Sequence, residues 1–223
     1  MIILSGKDIS KAYGTDIIFE DVCFGVEKGD RIGIVGANGT GKSTLLGIIA
    51  GDIEPTSGNL YIRSEYNLGY LRQQNHFEGS GTVRSEAEKS FTHLFKMEKR
   101  IEDLQYAISD HTSPSFDKDL EEYTRLMEEY EQKGGYTYKS ELNAMLVHMG
   151  FDEEAQNKEI GKLSGGERTR LALSCMLLSK PDVLMLDEPT NHLDLHMLEW
   201  LESYLEGYRG TILVVSHDRY FLD

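Results

Sequence analysis

Gly36-Ala37-Asn38-Gly39-Thr40-Gly41-Lys42-Ser43-Thr44 is the stretch that decides the fold. It fits G-x-x-x-x-G-K-[ST], the Walker A or P-loop pattern. The flanks fit as well. Arg31-Ile32-Gly33-Ile34-Val35 predicts a short buried strand ahead of it, and Ser43 to Ala50 predicts a helix with an apolar face behind it. Without those neighbours the same letters would read as a chance glycine-rich turn. Between a strand and a helix they make a phosphate cradle. The glycines let main-chain N–H groups curl around a polyphosphate, and a helix starting near Gly41 points its positive end at the same anion. Lys42 adds a full charge for the β- and γ-phosphates, and the Ser43 hydroxyl is a ligand for Mg2+.

A second half of the site lies far along the chain. After Pro181, Asp182-Val183-Leu184-Met185-Leu186-Asp187-Glu188 predicts a central parallel strand that ends in two carboxylates, a Walker B pattern. Adjacent carboxylates at the tip of a buried strand need a cation or other partners. Asp187 is placed to face Mg2+, directly or through water, and Glu188 to polarise an attacking water as general base. Leu163-Ser164-Gly165-Gly166-Glu167 precedes a strong helix pattern; its small residues make either an anion site or an ordinary capping loop. Asp194 predicts the N-cap of a helix with Leu195, Leu198, Trp200, Leu201 and Leu205. Thr211 to Val215 predicts another buried strand, and His217 at its tip could touch a γ-phosphate or be structural.

Between these halves the periodicity changes. Residues 1–35 carry short apolar runs punctuated by turns at Gly14-Thr15-Asp16 and Lys28-Gly29-Asp30, which predicts an antiparallel sheet. Tyr13 is either a platform for an adenine ring or an ordinary strand aromatic. A hairpin-like stretch then leads to Leu68-Gly69-Tyr70-Leu71-Arg72-Gln73-Gln74, where one glutamine could reach Mg2+ or the attacking water, or simply be solvated. Leu94, Met97, Ile101, Leu104 and Ile108, then Phe116, Leu120, Tyr123, Met127 and Tyr130, repeat at helical spacing around the turn-like segment Asp110–Ser115. Two narrow apolar seams predict an antiparallel helical hairpin that protrudes and is closed by Gly134-Gly135. Its first helix is rich in Lys and Arg and its second in Asp and Glu, which suits a binding surface or a solvated face. Leu142, Met145, Leu146 and Met149 predict one more helix.

Bulk properties bound the alternatives. A formal net charge of −15 over 223 residues argues against simple nonspecific nucleic-acid binding. Cys23 and Cys175 have no metal-type spacing and read as buried thiols of a reducing, cytoplasmic compartment. The N-terminus is no signal peptide, and no apolar run approaches the ~18–20 residues that cross a bilayer. Direct membrane insertion is not expected.

Taken in order, these motifs resemble the nucleotide-binding domain of the ABC ATPases over nearly the whole chain. The resemblance implies an α/β fold with a P-loop NTPase core, an N-terminal antiparallel β subdomain and a helical subdomain bearing the α-hairpin arm. The expected segments are 1–83 (β subdomain and P-loop), 84–135 (arm), 136–180 (signature helix region) and 181–223 (the rest of the core). Glu188-Pro189-Thr190-Asn191-His192-Leu193-Asp194 and Val215 to Asp223 resemble the ABC-F branch, soluble proteins of translation and ribosome protection. The resemblance implies that ATP and Mg2+ are the cofactors. It implies that Tyr13 stacks on adenine, that Gly36, Asn38, Gly39, Thr40, Gly41, Lys42, Ser43 and Thr44 hold the phosphates, and that Ser43, Gln73 and Asp187 serve Mg2+. Gln73 is favoured over Gln74 because Tyr70-Leu71-Arg72-Gln73 resembles the family's Y-L-P-Q, with Arg72 in place of proline. Glu188 is the implied base and His217 the implied γ-phosphate switch. Ser164, Gly165 and Gly166 would serve a nucleotide held by another domain packed head to tail. The expected partners are therefore a second ABC domain (a missing C-terminal half, or a second copy) and the ribosome or its rRNA. A lone half should bind ATP yet hydrolyse it weakly. The alternatives are the ATPase subunit of a membrane transporter, which the hairpin disfavours, and a chromosome- or repair-type ATPase, which would need longer coiled coils or zinc-binding cysteines.

Overall fold

A computed structural model describes residues 1–72, 77 and 81–216. The chain forms two compact units, Met1–Gly79 with Lys162–Asp223, and Ser80–Gly161. The signature segment thus groups with the strands of the core rather than with the hairpin.

The first unit contains two sheets. Strands β1 (Ile2–Tyr13) and β2 (Asp16–Glu27) pair antiparallel, and β4 (Ser57–Ile62) joins the other edge of β1. Gly14 makes the β1–β2 turn with a φ of 62°. Register shifts interrupt the β1–β2 ladder, and Asp8 and Asp21 adopt positive φ there, so the ribbon is irregular as well as long. The second sheet is parallel, in the order β3 (Arg31–Ile34), β7 (Thr211–Val215), β6 (Val183–Asp187), β5 (Leu68–Leu71). Every residue of β6 and β7 is buried. That explains their unbroken apolar sequence, since a strand covered on both faces shows no alternation.

One apolar cluster joins the layers. Ile3, Leu4 and Val26 of the antiparallel sheet meet Leu46 and Ile49 of α1 (Lys42–Ile49) and Val183, Met185, Leu213 and Val215 of the parallel sheet. Each such side chain contributes about 1.5–3 kcal/mol on burial. The cluster fixes α1, and with it the loop at its N-terminus, over the parallel sheet.

Two expectations change. The stretch before Gln73 is not a hairpin: β4 pairs with β1 whereas β5 pairs with β6, so consecutive strands enter different sheets. Leu68–Leu71 finds its partner in Val183–Leu186, a ladder distant in sequence that local turn signals cannot reveal. Cys23 is exposed rather than buried, on the open side of β2 with its Sγ against Asp8, and Cys175 is only half-buried.

In Ser80–Gly161 the helices are α2 (Val83–Glu88), α3 (Thr92–Ala107), α4 (Phe116–Gln132), α5 (Tyr138–His148) and α6 (Glu153–Gln156). Leu94, Met97, Ile101 and Leu104 of α3 are buried as the spacing predicts. The α4 seam is shallower: Tyr130 is buried and Leu120 is exposed. The Gly134 and Gly135 N–H groups close the helix end on the Glu131 and Tyr130 carbonyls. Short α2 was not evident from periodicity. Thr82 caps it, and Ser85 returns a hydrogen bond to the Thr82 backbone.

Candidate nucleotide site

The loop between β3 and α1 opens on a cavity of about 790 Å³. Asn38, Gly39, Gly41, Lys42, Ser43 and Thr44 line one side, and Asp187, Glu188, Thr190 and Asn191 line the other. Gly39 and Gly41 have φ of 82° and 88°, which favour glycine. At Gly41 there is a second requirement: a Cβ would come within 2.5 Å of Ile18 and 2.8 Å of Phe19. The loop is therefore pinned against β2, and Ile18 itself lines the cavity. Lys42 folds back, its Nζ donating to the Gly36 and Ala37 carbonyls at 3.0 and 2.9 Å. An anion in the loop would compete for those same donors.

Across the cavity, β6 ends at Asp187, which is 3% exposed. Neither carboxylate oxygen has a hydrogen-bond partner among the described residues. The nearby Tyr70 phenol is pushed up to about 12, first by burial and then by the Asp187 charge. Glu188 turns the chain with a φ of 50° while its N–H donates to the Val215 carbonyl at 2.9 Å. That left-handed turn is strained for a non-glycine residue and lifts Glu188 off the strand into the cavity wall.

Two further regions were expected to touch nucleotide. Ser164 caps α7 (Gly165–Ser179): its Oγ accepts from the Glu167 N–H at 3.3 Å and donates to the Glu167 carboxylate at 2.7 Å. Ser164, Gly165 and Gly166 do not line the Lys42 cavity. Tyr13 stands exposed at the end of β1 under the Lys11 ammonium, 4.8 Å from the ring centroid, and does not line it either. Gln73 and His217 lie outside the described residues. Ile18, Thr190, Asn191 and Val215 line the cavity without having been singled out. Ile18 and Val215 look like ordinary strand residues in the sequence. Thr190 and Asn191 sit inside the Glu188–Asp194 motif and were legible only as part of it.

A family model described as ABC transporter matches residues 19–191. The chain belongs to the ABC transporter family. It is an ATPase domain of that family, with the fold the sequence implied. Over its full length it is 43% identical to YdiF of Bacillus subtilis (strain 168), of which it covers 35%. Over 99% of its length it is 38% identical to the energy-dependent translational throttle protein EttA of Mycobacterium tuberculosis (strain CDC 1551 / Oshkosh), of which it covers 39%. The full chain superimposes with a TM-score of 0.67 and 25% identity on 35% of a chain from the complex of archaeal ribosomal stalk protein aP1 and archaeal ribosome recycling factor aABCE1. The chain thus spans well under half the length of these relatives. EttA belongs to the ABC-F branch, as the Glu188–Asp194 motif suggested. No helix among the described residues is long and apolar enough to cross a membrane.

ABC domains bind ATP, typically with Mg2+, and work paired with another such domain. The residues of this ABC domain fit the metal. A buried carboxylate with two unpartnered oxygens is costly unless a cation meets it, and Asp187 faces the same cavity as the Ser43 hydroxyl. A hydroxyl, a carboxylate, water and phosphate oxygens make the hard donor set Mg2+ prefers.

Proposed function

We propose that this domain binds ATP–Mg2+ in the Lys42–Asp187 cavity, as one half of a composite site completed by a second ABC domain. The observation that carries the reading is the buried, unpartnered Asp187 carboxylate facing the phosphate loop across one cavity. The main-chain N–H groups of 38–44 and the Lys42 ammonium would hold the phosphates, and Ser43, Gln73 and Asp187 would hold the metal. Bound Mg2+ would neutralise charge on the β- and γ-phosphates. Glu188 would take the proton of the attacking water, and His217 would hold the γ-phosphate side. Tyr13 would stack on the adenine. The Ser164–Gly166 turn serves the partner's nucleotide in this reading, which accords with its place outside the Lys42 cavity. To meet a γ-phosphate, the Ser164 hydroxyl must let go of Glu167.

Phosphate release by the isolated chain tests the composite site. Turnover should be slow and rise more steeply than linearly with protein concentration. Fast turnover at a constant rate per molecule would overturn the shared site.

The protein of which this domain is part acts on the ribosome, in translation or ribosome protection. Support comes from the ABC-F motif and from the named roles of EttA and of the aABCE1 complex. The arm at 84–135 is the contact element in this reading. Its first helix carries Lys96, Lys99 and Arg100 within a chain of net charge −15. Co-sedimentation with ribosomes of the full-length protein carrying Glu188→Gln, with ATP, is the test. Association that depends on ATP is expected, and none at all would overturn the ribosomal role while leaving ATP binding intact.

A further inference from the structure

Lys11 and Tyr13 lie two positions apart on β1, so their side chains leave the same face of the ribbon. The Lys11 ammonium stands over the Tyr13 ring, 4.8 Å from its centroid. It is tethered there, because its Nζ also donates to the Glu54 carbonyl at 2.7 Å. On either side of Lys11 the backbone is held by Thr56. The Ala12 N–H donates to the Thr56 hydroxyl oxygen at 3.0 Å, and the Thr56 N–H donates to the Ser10 carbonyl at 2.8 Å. The end of β1 is thus stapled to the segment that leads into β4.

Across its other edge, the same stretch of β1 backs the nucleotide cavity. The β1–β2 ladder steps over Ile18, since Ala12 pairs with Ile17 and Lys11 with Phe19. Such a step re-aims the extra side chain, and Ile18 lines the Lys42 cavity. Ile18 and Phe19 are also the side chains against which Gly41 of the phosphate loop packs. Lys11 is therefore one antiparallel pairing, about 5 Å between Cα atoms, from the strand that carries the cavity wall. Tyr13 pairs with Asp16 at the turn of the same ribbon.

We propose that Lys11 is a positioning residue for the nucleotide base. It covers one face of the Tyr13 ring and leaves the other for the base of a nucleotide whose phosphates lie in the Gly36–Thr44 loop. This rests on the reading of Tyr13 as the adenine platform and deepens it. Tyr13 is 53% exposed, and an exposed ring without a holder turns between rotamers. A ring that must be fixed as the base arrives weakens binding, whereas one fixed beforehand does not. The cation also draws on the π cloud of the ring. That makes the uncovered face a better partner for an electron-rich purine. The tether runs to a main-chain carbonyl, which holds the ammonium over the ring without neutralising it.

The test is calorimetric titration of the 223-residue chain with two ligands in Mg2+, ATP and inorganic tripolyphosphate, which has no base. A cation–π contact at an exposed site is worth about two- to fivefold in affinity. Lys11→Met keeps the apolar stem and removes the charge. It should weaken ATP by that factor and leave tripolyphosphate unchanged. Lys11→Arg should retain the parent affinity for ATP, since a guanidinium also stacks on a ring. On a Tyr13→Ala background Lys11→Met should have no further effect, because the lysine acts through the ring. Equal weakening of both ligands, or a further loss on the Tyr13→Ala background, would make Lys11 a plain attractor of phosphate and overturn the proposal. So would parent ATP affinity in Lys11→Met, or failure of arginine to replace lysine. Tyr13→Ala alone separates the two readings. If it leaves ATP affinity intact, the platform and this proposal fall together. If it weakens ATP while Lys11→Met does not, only this proposal falls.

Discussion

In the helical unit the buried Tyr130 phenol shares its one proton between the Glu98 carboxylate at 2.6 Å and the Gly135 carbonyl at 2.8 Å. Arg84 and Asn143 likewise meet the buried Gln156 amide. In the core unit Asp187 is as deeply buried, and both its oxygens lack a hydrogen-bond partner among the described residues. No described residue of Ser80–Gly161 leaves a buried side-chain oxygen or nitrogen in that state. An unmet buried charge is expensive and a met one is not. The buried polar groups of the helical unit hold its own shape, whereas the core unit leaves the Asp187 carboxylate unmet by the described residues, as the proposed metal site requires. The contrast can be broken by substitutions of similar size in the two places.

The largest expected effect is on turnover. Glu188→Gln keeps the shape of the cavity wall and removes the proposed proton acceptor. It should cut single-turnover hydrolysis in the paired, ATP-bound protein by about 10²–10⁴-fold, with nucleotide affinity preserved. Quench-flow and equilibrium binding on the same sample check this. A variant that still hydrolyses at the parent rate would move the base elsewhere.

Tyr130→Phe comes next. It removes the one proton shared by the Glu98 carboxylate and the Gly135 carbonyl and leaves Glu98 with the Tyr138 hydroxyl at 3.4 Å, so the helical unit should lose about 1–2 kcal/mol. Burial and the neighbouring Glu98 hold the folded-state Tyr130 phenol un-ionised well above its ordinary range. Its contribution is therefore complete below the unfolded phenol's range of about 10. The loss should be constant from neutral pH to about pH 9 and change above that as the unfolded chain ionises. Denaturant melts with and without nucleotide are the measurement, and nucleotide affinity should stay at the parent value.

Asp187→Asn is the counterpart in the core. It removes a buried carboxylate that no described residue hydrogen-bonds, so the nucleotide-free domain should gain about 0.5–1 kcal/mol, in the manner of active-site substitutions that exchange function for stability. Mg2+-dependent nucleotide binding should disappear at the same time. A loss of stability in the absence of nucleotide would mean that Asp187 is structural, and the contrast with Tyr130 would collapse.

The legible parts of the sequence share one property. The loop at Gly36–Thr44, the strand ending at Asp187 and the seams around Leu94–Leu104 are contiguous patterns whose chemistry lies within a few residues. What escaped depends on pairing across distance. The destination of Leu68–Leu71 is set by Val183–Leu186, more than a hundred positions on. Ile18 joins the cavity because Gly41 has no side chain to keep it away. The exposure of Cys23 follows from which face of β2 is left open. Arg72 reads as a small departure from a motif until Asp52 is seen beside it. Its partner comes from a different element, and no local spacing announces the pair.

The smallest expected effect is at Arg100–Glu122, which joins α3 to α4 through a fork of 2.9 and 2.7 Å. In form and in its exposure to solvent it is the twin of Arg72–Asp52. The hydrogen bond from Arg100, with its charge, holds the Glu122 carboxyl below the ordinary carboxylate range. A depressed carboxyl contributes stability when ionised, above its unfolded range, and that contribution is lost as pH falls through its folded range. Arg100→Ala should therefore lower the melting temperature slightly at neutral pH and low salt. The parent and variant curves should converge as the pH drops below the carboxylate range. They should also converge at neutral pH in 1 M salt, where screening shortens to about 3 Å. Nucleotide binding should not change under any of these conditions. If Arg100→Ala instead altered Mg2+-dependent nucleotide binding, polar groups of the helical unit would serve more than their own shape, and the contrast would rest on Asp187 alone.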